Sequence, residues 1–455
     1  VGGLVLGAVV CCAPKSDSVP KQNRIIVLDP GHFHAGLLQM HRIEGMCDTV
    51  SVYAPEGPEL GGYLYNINYY NNRKHNPTQW VVEQYVGEDY LEKMLSEAEG
   101  NTVVISGNNQ KKTRYIYESI KAGYNVLADK PMAISKEDFA LLEKSYKLAE
   151  KKGLVLYELM TERYDIYNVV EKALLHNKEV FGELLKGTKD EPAVEMESVH
   201  YFCRISSSGK ASSRPAWYYD VEQQGEGIVD VTTHLVDLVQ CTVMPEQEID
   251  YKKDIEFTSA KRWATKIPLD KYQLVSGKES YPDFLKKDIV NDTLNVYSNG
   301  ELNYKLNGVN CKVSVIWNFM AEVGTEGTGD THYSVVKGSK ADVMIRQGAE
   351  QGYKPMLYVA CKGDDVAAFE KTLRESLKSI ADKYPGLDIK PSGEKEWQVL
   401  IPAAVAKSHE QRFSSVMEVY LNHLISGEIP AWERSQMKAK YYTTTKAVEL
   451  ARQAK

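Results

Sequence analysis

From Arg24 onward the chain alternates short apolar runs with amphipathic stretches. The runs are IIVLDP (25–30), VSVYA (50–54), WVVEQYV (80–86), TVVIS (102–106), NVLAD (125–129) and GLVLYEL (153–159), and each reads as a strand. Between the later runs the pattern predicts helices over 89–98, 113–122 and 135–152, the last two closed by Gly123 and Gly153. Ser135 with Asp138 three residues on makes a capping-box-like start for the third helix. Near-continuous apolar strands separated by helices predict an α/β fold, a doubly wound parallel sheet covered on both faces. Ligands on such sheets bind beyond the carboxyl ends of the strands. The residues just after each strand are therefore the ones to read for chemistry.

Composition narrows the class. A chain of 455 residues with 43% hydrophobic and 26% charged positions is an ordinary globular protein of two or three domains. Its 55 Lys+Arg against 62 Asp+Glu, a net charge of −7 with no basic block, argue against a nucleic-acid partner. The seven cysteines show no CxxC or metal-ligand spacing, so neither a disulfide framework nor a metal site is expected. The opening VGGLVLGAVVCCAPKSDS is too short and too soon polar to cross a bilayer. It fits the hydrophobic region of an export signal with Cys11 or Cys12 as a lipid-anchor site. Residues 1–23 are accordingly set aside as signal and tether, which predicts a periplasmic or membrane-anchored lipoprotein, with a cytoplasmic protein as the alternative. Tyrosine is in excess, at 29 against 9 phenylalanines, which suits sugar-like ligands as well as plain surface enrichment.

The first strand end reads Asp29-Pro30-Gly31-His32-Phe33-His34-Ala35-Gly36. A dinucleotide turn needs small residues so that backbone amides approach a pyrophosphate, and here Asp29 and His34 stand where the first and third glycines of GxGxxG would fall. The second strand end supplies Glu56 near the expected ribose position, with no cation beside it for a 2′-phosphate, which favours NAD over NADP. Arg73 and Lys74 in the following loop keep both open. The fourth strand ends on Ser106-Gly107-Asn108-Asn109, a small polar cluster suited to a nicotinamide ribose, and the fifth on Asp129-Lys130-Pro131. About a hundred residues later come Arg214-Pro215-Ala216-Trp217-Tyr218-Tyr219-Asp220 and then Gly225-Glu226-Gly227, with Asp230 and His234 at i and i+4. On one helix these two would project from the same face, where a carboxylate fixes the tautomer of an imidazole base.

The combination of VVISGNN, AGYNVLADKPMAIS and the Asp230/His234 pair resembles the glucose-fructose oxidoreductase and inositol dehydrogenase family, Gfo/Idh/MocA, whose members carry Glu-Lys-Pro after the fifth strand and Gly-Gly-x-x-x-Asp-x-x-x-His later. The likeness covers most of the chain after residue 24, including YLNHLISGEIP (420–430) and the final helix. It departs in the glycine turn and in Glu226 between the two glycines. The resemblance implies a Rossmann domain over 24–160 and, over 161–455, an α+β substrate domain with an open, mostly antiparallel sheet that also serves homo-oligomerisation. It implies NAD or NADP as cofactor, with Gly31, Asn108 and Lys130 lining it and Lys130, Asp230 and His234 as the catalytic group. His32 and Phe33 are read as amide donors to the pyrophosphate, and Arg163 after the sixth strand stands where the family often contacts substrate.

The chemistry expected is oxidation of a hydroxyl of a sugar, polyol or glycoside, held by Tyr, Asn and Trp217. His234 with Asp230 takes the proton and Lys130 stabilises the oxygen, with Lys130 itself as the alternative base. Two other readings stay open: glycoside cleavage by transient oxidation, elimination and re-reduction, and a non-catalytic sugar or dinucleotide sensor. The turn GTEGTGD (324–330) with His332 is expected to join two strands, or to reach the cleft. The Tyr/Asn-rich stretch 62–76, with Tyr63, Tyr65, Tyr69 and Tyr70, is expected to be a sugar-stacking loop, or else an irregular surface or an oligomer contact.

Overall fold

The computed structural model describes residues 23–206, 209–321 and 329–454. Cys11, Cys12 and most of the GTEGTGD turn lie outside them. The first unit runs β1 (Ile25–Leu28), α1 (His34–Leu37), β2 (Thr49–Ala54), α2 (Pro58–Asn72), β3 (Val81–Val86), α3 (Tyr90–Glu97), β4 (Thr102–Ile105), α4 (Asn109–Ala122), β5 (Asn125–Asp129), α5 (Lys136–Lys152) and β6 (Leu156–Leu159). All six strands are parallel, in the order β3-β2-β1-β4-β5-β6, with neighbours such as Ile26 and Val103 in register. This is the doubly wound sheet that the apolar runs predicted.

The helix ends obey the local chemistry. Gly123 and Gly153 close α4 and α5 in the left-handed conformation, and the Ser135 hydroxyl accepts the Asp138 amide. One helix starts earlier than periodicity predicted, because Asn108 caps α4 by accepting the Gln110 amide, four residues before Thr113. The Tyr/Asn-rich stretch is not irregular. Up to Asn72 it is α2, opened by Pro58 in its first turn, with Leu60, Tyr63, Ile67 and Tyr70 buried at helical spacing while Tyr65 and Tyr69 face outward. The five asparagines between 66 and 76 hid that stripe.

The second unit contains α6 (Ile166–Leu175), β7 (Val194–Cys203), α7 (Thr232–Val243), β8 (Ile255–Pro268), α8 (Leu269–Ser276), β9 (Ile289–Val290), β10 (Thr293–Leu306), β11 (Val309–Met320), β12 (Thr331–Lys337), β13 (Ala341–Gln347), β14 (Met356–Cys361), α9 (Val366–Lys378), β15 (Asp388–Pro391) and β16 (Glu396–Leu400). Its sheet has the order β15-β16-β14-β13-β12-β7-β11-β10-β8, antiparallel except where β7 and β11 pair in parallel, and β9 adds to β10. One face is covered by α7, from which Leu235, Val236 and Val239 join the core beneath β7, β10 and β11.

The chain then returns. In α10 (His409–Ser426), Phe413, Val416, Met417 and Tyr420 pack into the core of the parallel sheet, and the Tyr420 hydroxyl meets Thr102 Oγ1 at 3.0 Å. Helix α1 has only four residues, and α10 covers sheet surface that so short a helix leaves open. In α11 (Ala431–Gln453), Met437 and Tyr441 enter the first core while Ala439, Ala447 and Val448 enter the second. Between the units lies a buried ionic network. Lys440 of α11 has a fully buried side chain and is held by Glu158 of β6 and by Asp237 of α7, the latter at 2.6 Å. Arg163, just past β6, grips the same Asp237 with two bonds of 2.6 Å.

Buried charges of this kind are tolerated only while all partners are present. Replacing Lys440 with Ala leaves Glu158 and Asp237 without their shared cation. The expected loss is about 3–5 kcal/mol of unfolding free energy, read by urea titration.

Candidate active site

The turn after β1 has to cross the end of β4 to reach β5, because β4 lies between them in the sheet. Gly107 makes the crossing possible: a Cβ there would stand 2.5 Å from the Asp29 carbonyl oxygen and 2.9 Å from the Gly31 nitrogen. Gly31 in turn lies against Gly107 and Asn108, so the two strand ends meet backbone to backbone. Asp29 takes the left-handed φ of +47° that glycine would ordinarily supply, a region that aspartate tolerates better than most residues. Its carboxylate points away from the turn and accepts from Tyr115 at 2.8 Å and Lys111 at 3.2 Å.

One reading of this turn is corrected. The His32 amide donates to the Ser106 carbonyl at 3.2 Å, so it is committed to holding the two strand ends together. The Phe33 amide remains at the tip, and the Phe33 ring is exposed.

A cleft of about 1110 Å³ opens beside this turn. Gly31, His32 and Phe33 line one wall, Glu59, Tyr63 and Asn66 of α2 another, and Arg214 and Trp217 of the second unit close it. Trp217 Nε1 donates to Glu59 at 3.3 Å across the cleft. Glu56 lies exposed just past β2. Asn108 caps α4 and donates to Gln223 at 2.8 Å, and the Gln110 amide donates to the Gln223 carbonyl, so the 220–225 segment is stitched to the first unit. A wall of glycine backbone facing an elongated cleft at the carboxyl ends of parallel strands fits a dinucleotide.

At the inner strand ends Lys130 Nζ donates to Asp230 Oδ1 at 2.8 Å, both side chains nearly buried. Gln224 donates to the other oxygen of Asp230 at 3.0 Å. Asp230 does not share the helix of His234. It sits in the turn before α7, which Gly227 brings so close to β10 that a Cβ would overlap the Ser298 carbonyl oxygen, at 1.9 Å. The expected carboxylate-imidazole contact is therefore replaced: Asp230 serves Lys130, and His234 Nδ1 meets the Met160 sulfur at 3.0 Å. A thioether only accepts, so Nδ1 carries the proton and Nε2 keeps its lone pair.

The charges follow from this arrangement. Burial, reinforced by Lys130, holds His234 well below its ordinary pKa, so the imidazole is neutral near pH 7. Burial works against the charge of Lys130, but the carboxylates of Asp230 and Asp129 outweigh it and hold the ammonium above its usual value. Burial likewise opposes ionisation of Asp230, and Lys130 outweighs it, so the carboxyl stays ionised. Lys112 of α4, fully enclosed, is lowered by burial to about 8 and donates to Asn109 at 2.6 Å. Asp129 is buried beside Ser106, whose hydroxyl donates to it at 3.0 Å.

Arg163 is not brought to this group. Its guanidinium is consumed by Asp237, one helical turn beyond His234, and it anchors α7 from behind. Sequence reading missed Glu59, Lys112, Met160, Gln223 and Gln224. A lysine in a KK doublet or a glutamine in a QQ doublet carries no sign of burial, and only the hidden stripe of α2 pointed to Glu59.

The comparisons agree with this geometry. The family model for "Oxidoreductase family, NAD-binding Rossmann fold" matches residues 64–159, and that for "Putative oxidoreductase C terminal domain" matches residues 170–452. A crystal structure of a "putative oxidoreductase" from Parabacteroides merdae ATCC 43184 is 49% identical, covering 95% of this chain and 98% of its own, with a TM-score of 0.92. The chain belongs to the Gfo/Idh/MocA oxidoreductase family. It is an NAD(P)-dependent oxidoreductase.

More distant likenesses share the fold. A levoglucosan dehydrogenase in complex with NADH and levoglucosan is 11% identical over 95% of this chain and 97% of its own, with a TM-score of 0.59. A 3-ketoreductase from Actinomadura kijaniata in complex with NADP and TDP-benzene is 11% identical over 92% and 94%, with a TM-score of 0.54. No curated protein matches the chain.

Gly107 tests the cradle of this NAD(P)-binding family member. A Gly107→Ala variant must push the Asp29-Gly31 backbone aside, and its Kd for NAD+ or NADP+, measured by calorimetry, is expected to rise at least about tenfold, or about 1.4 kcal/mol.

Proposed function

We propose that the protein oxidises, or in reverse reduces, a hydroxyl-bearing carbon of a sugar, polyol or glycoside, with His234 as general base and Lys130 holding the reacting oxygen. The observation that carries this is the Lys130–Asp230 pair next to a neutral imidazole whose tautomer leaves Nε2 open. A nicotinamide cofactor held along the Gly31–Phe33 wall would supply the acceptor for the hydride that leaves the carbon. His234 Nε2 takes the hydroxyl proton as that hydride departs. Lys130 donates to the same oxygen and stabilises the negative charge that grows on it, while Asp230 keeps the ammonium charged and aimed. The reading of Lys130 as the base is disfavoured, since two carboxylates raise its pKa where a base would need it lowered.

Several further features support the reading. Trp217, Tyr65 and Asn66 offer flat apolar faces and an amide of the kind that hold sugars and ribose. NAD is favoured over NADP: Glu56 lies exposed past β2, and the Arg73 guanidinium is already taken by the carbonyls of Met40 and Asn76. The likeness to enzymes crystallised with levoglucosan and with TDP-benzene is consistent with a carbohydrate substrate. Export as a lipoprotein through Cys11 or Cys12 belongs to the same proposal, and globomycin-sensitive processing with label from palmitate in whole cells tests it.

Incubation with a panel of sugars and glycosides, followed by mass spectrometry, is expected to show a product lighter by two hydrogens. Release of an aglycone instead would favour the cycle of oxidation, elimination and re-reduction, and no change on any substrate would remove the proposal. With a substrate in hand, His234→Ala and Lys130→Ala are each expected to lower kcat by about 10²–10⁴-fold. The base must be unprotonated, so kcat/KM falls as pH drops through the pKa of His234. That acid limb is expected below the ordinary value of 6.5 and to vanish in His234→Ala.

A further inference from the structure

One group of ligating side chains is left unused by this chemistry. Asp29 and His34 replace glycines in the first turn, and only Asp29 has been accounted for. His32 and His34 form a His-x-His pair, and the crossing over Gly107 delivers it to Asp129 at the end of β5. His34 Nδ1 lies 3.0 Å and His32 Nδ1 3.5 Å from the same Asp129 oxygen, Oδ2. All three ligand atoms lie within 4.8 Å of one another. Two donors bound to one ion at about 2.0–2.2 Å, at angles near tetrahedral or octahedral, stand about 2.9–3.5 Å apart. The two contacts to Asp129 already have that spacing.

From this geometry we infer that His32, His34 and Asp129 form a binding site for a first-row divalent cation such as Zn²⁺, with a coordination position open to the cleft. Asp129 is enclosed; Oδ2, the oxygen nearest both imidazoles, also accepts from Ser106, while Oδ1 is buried without a hydrogen-bond partner, so the carboxylate keeps acceptor capacity for a cation. The His34 ring is fixed against Phe413 and His409 of α10, while His32 lines the cleft beside Gly31 and Phe33. Lys130 gives its hydrogen bond to Asp230 and Lys112 to Asn109, so both act on Asp129 only through longer-range charge.

Two imidazoles and one carboxylate select zinc or a neighbouring transition metal over magnesium or calcium. Three protein ligands leave a further position, and on the cleft side it takes water or an oxygen of whatever occupies the cleft. The sequence concealed the site because its ligands lie 95 residues apart and include no cysteine.

The test uses the full chain, without an affinity tag, stripped with dipicolinate and titrated with Zn²⁺ and Co²⁺. One equivalent per chain is expected, with a visible Co²⁺ absorption of four- or five-coordinate character. His32→Ala, at the partly exposed ligand, is expected to weaken Zn²⁺ binding by at least about a hundredfold with unchanged circular dichroism. Asp129→Asn is expected to abolish the Co²⁺ band. The absence of stoichiometric binding, or equal binding by folded His32→Ala, would overturn the site and leave His34 and Asp129 as a hydrogen-bonded pair. Neither readout depends on turnover, so failure here is distinguishable from failure of the dehydrogenase proposal.

Discussion

The ion pair between Lys130 and Asp230 is the contact on which the arrangement of the site depends. Lys130 directly follows β5 of the parallel sheet and Asp230 belongs to a turn of the second unit, a hundred residues on. Neither charge has water enough to stand alone, and removing one partner of such a pair usually costs about 3–5 kcal/mol. The pair therefore fixes the distance between the units at the point where the strand ends face α7. It also sets the charges around it, because an ammonium held by a carboxylate stays charged and keeps a nearby buried imidazole neutral.

A second layer of charge keeps that contact from sliding. His234 sits in the first turn of α7, and Asp237 one turn later is gripped by Arg163 and Lys440. Lys440 also reaches Glu158 on β6, so the helix bearing the proposed base is tied to the last strand of the parallel sheet and to α11 at once. Behind β6, Arg412 of α10 bonds Glu162 at 3.0 Å and Asp165 at 2.7 Å. The C-terminal helices thus do the work of a clamp. They complete both cores and hold charged groups that would be costly in either unit alone.

The parallel sheet was legible from the sequence because its strands are buried on both faces, and continuous apolar runs cannot hide. The second sheet was legible only through family resemblance: its strands alternate exposed and buried residues over 10 to 14 positions, and β8 and β10 carry many charged and polar side chains. Of the site, Lys130, Asp230 and His234 could be marked from motif alone. Their partners could not. That Asp230 would turn to Lys130, and Met160 to His234, depends on where α7 begins, and that start is set by Gly227 packing on the Ser298 carbonyl. Arg163 was marked for its place after the sixth strand, yet a guanidinium beside the buried Asp237 carboxylate is drawn to it first.

The glycine turn shows how a motif can lose its letters and keep its backbone path. The first glycine is needed for a positive φ, and Asp29 provides it, with two tyrosines and Lys111 holding the carboxylate out of the cleft. The third is ordinarily needed so that the following helix can pack tightly on the strand. Here that helix is four residues long and α10 lies in the space beside it, so a side chain as large as His34 fits against Phe413. Only the middle glycine has no substitute, because Gly31 touches Gly107 and Asn108 directly. The positions that changed are those whose physical requirement another part of the chain could meet, and the one that stayed is the one where backbone meets backbone.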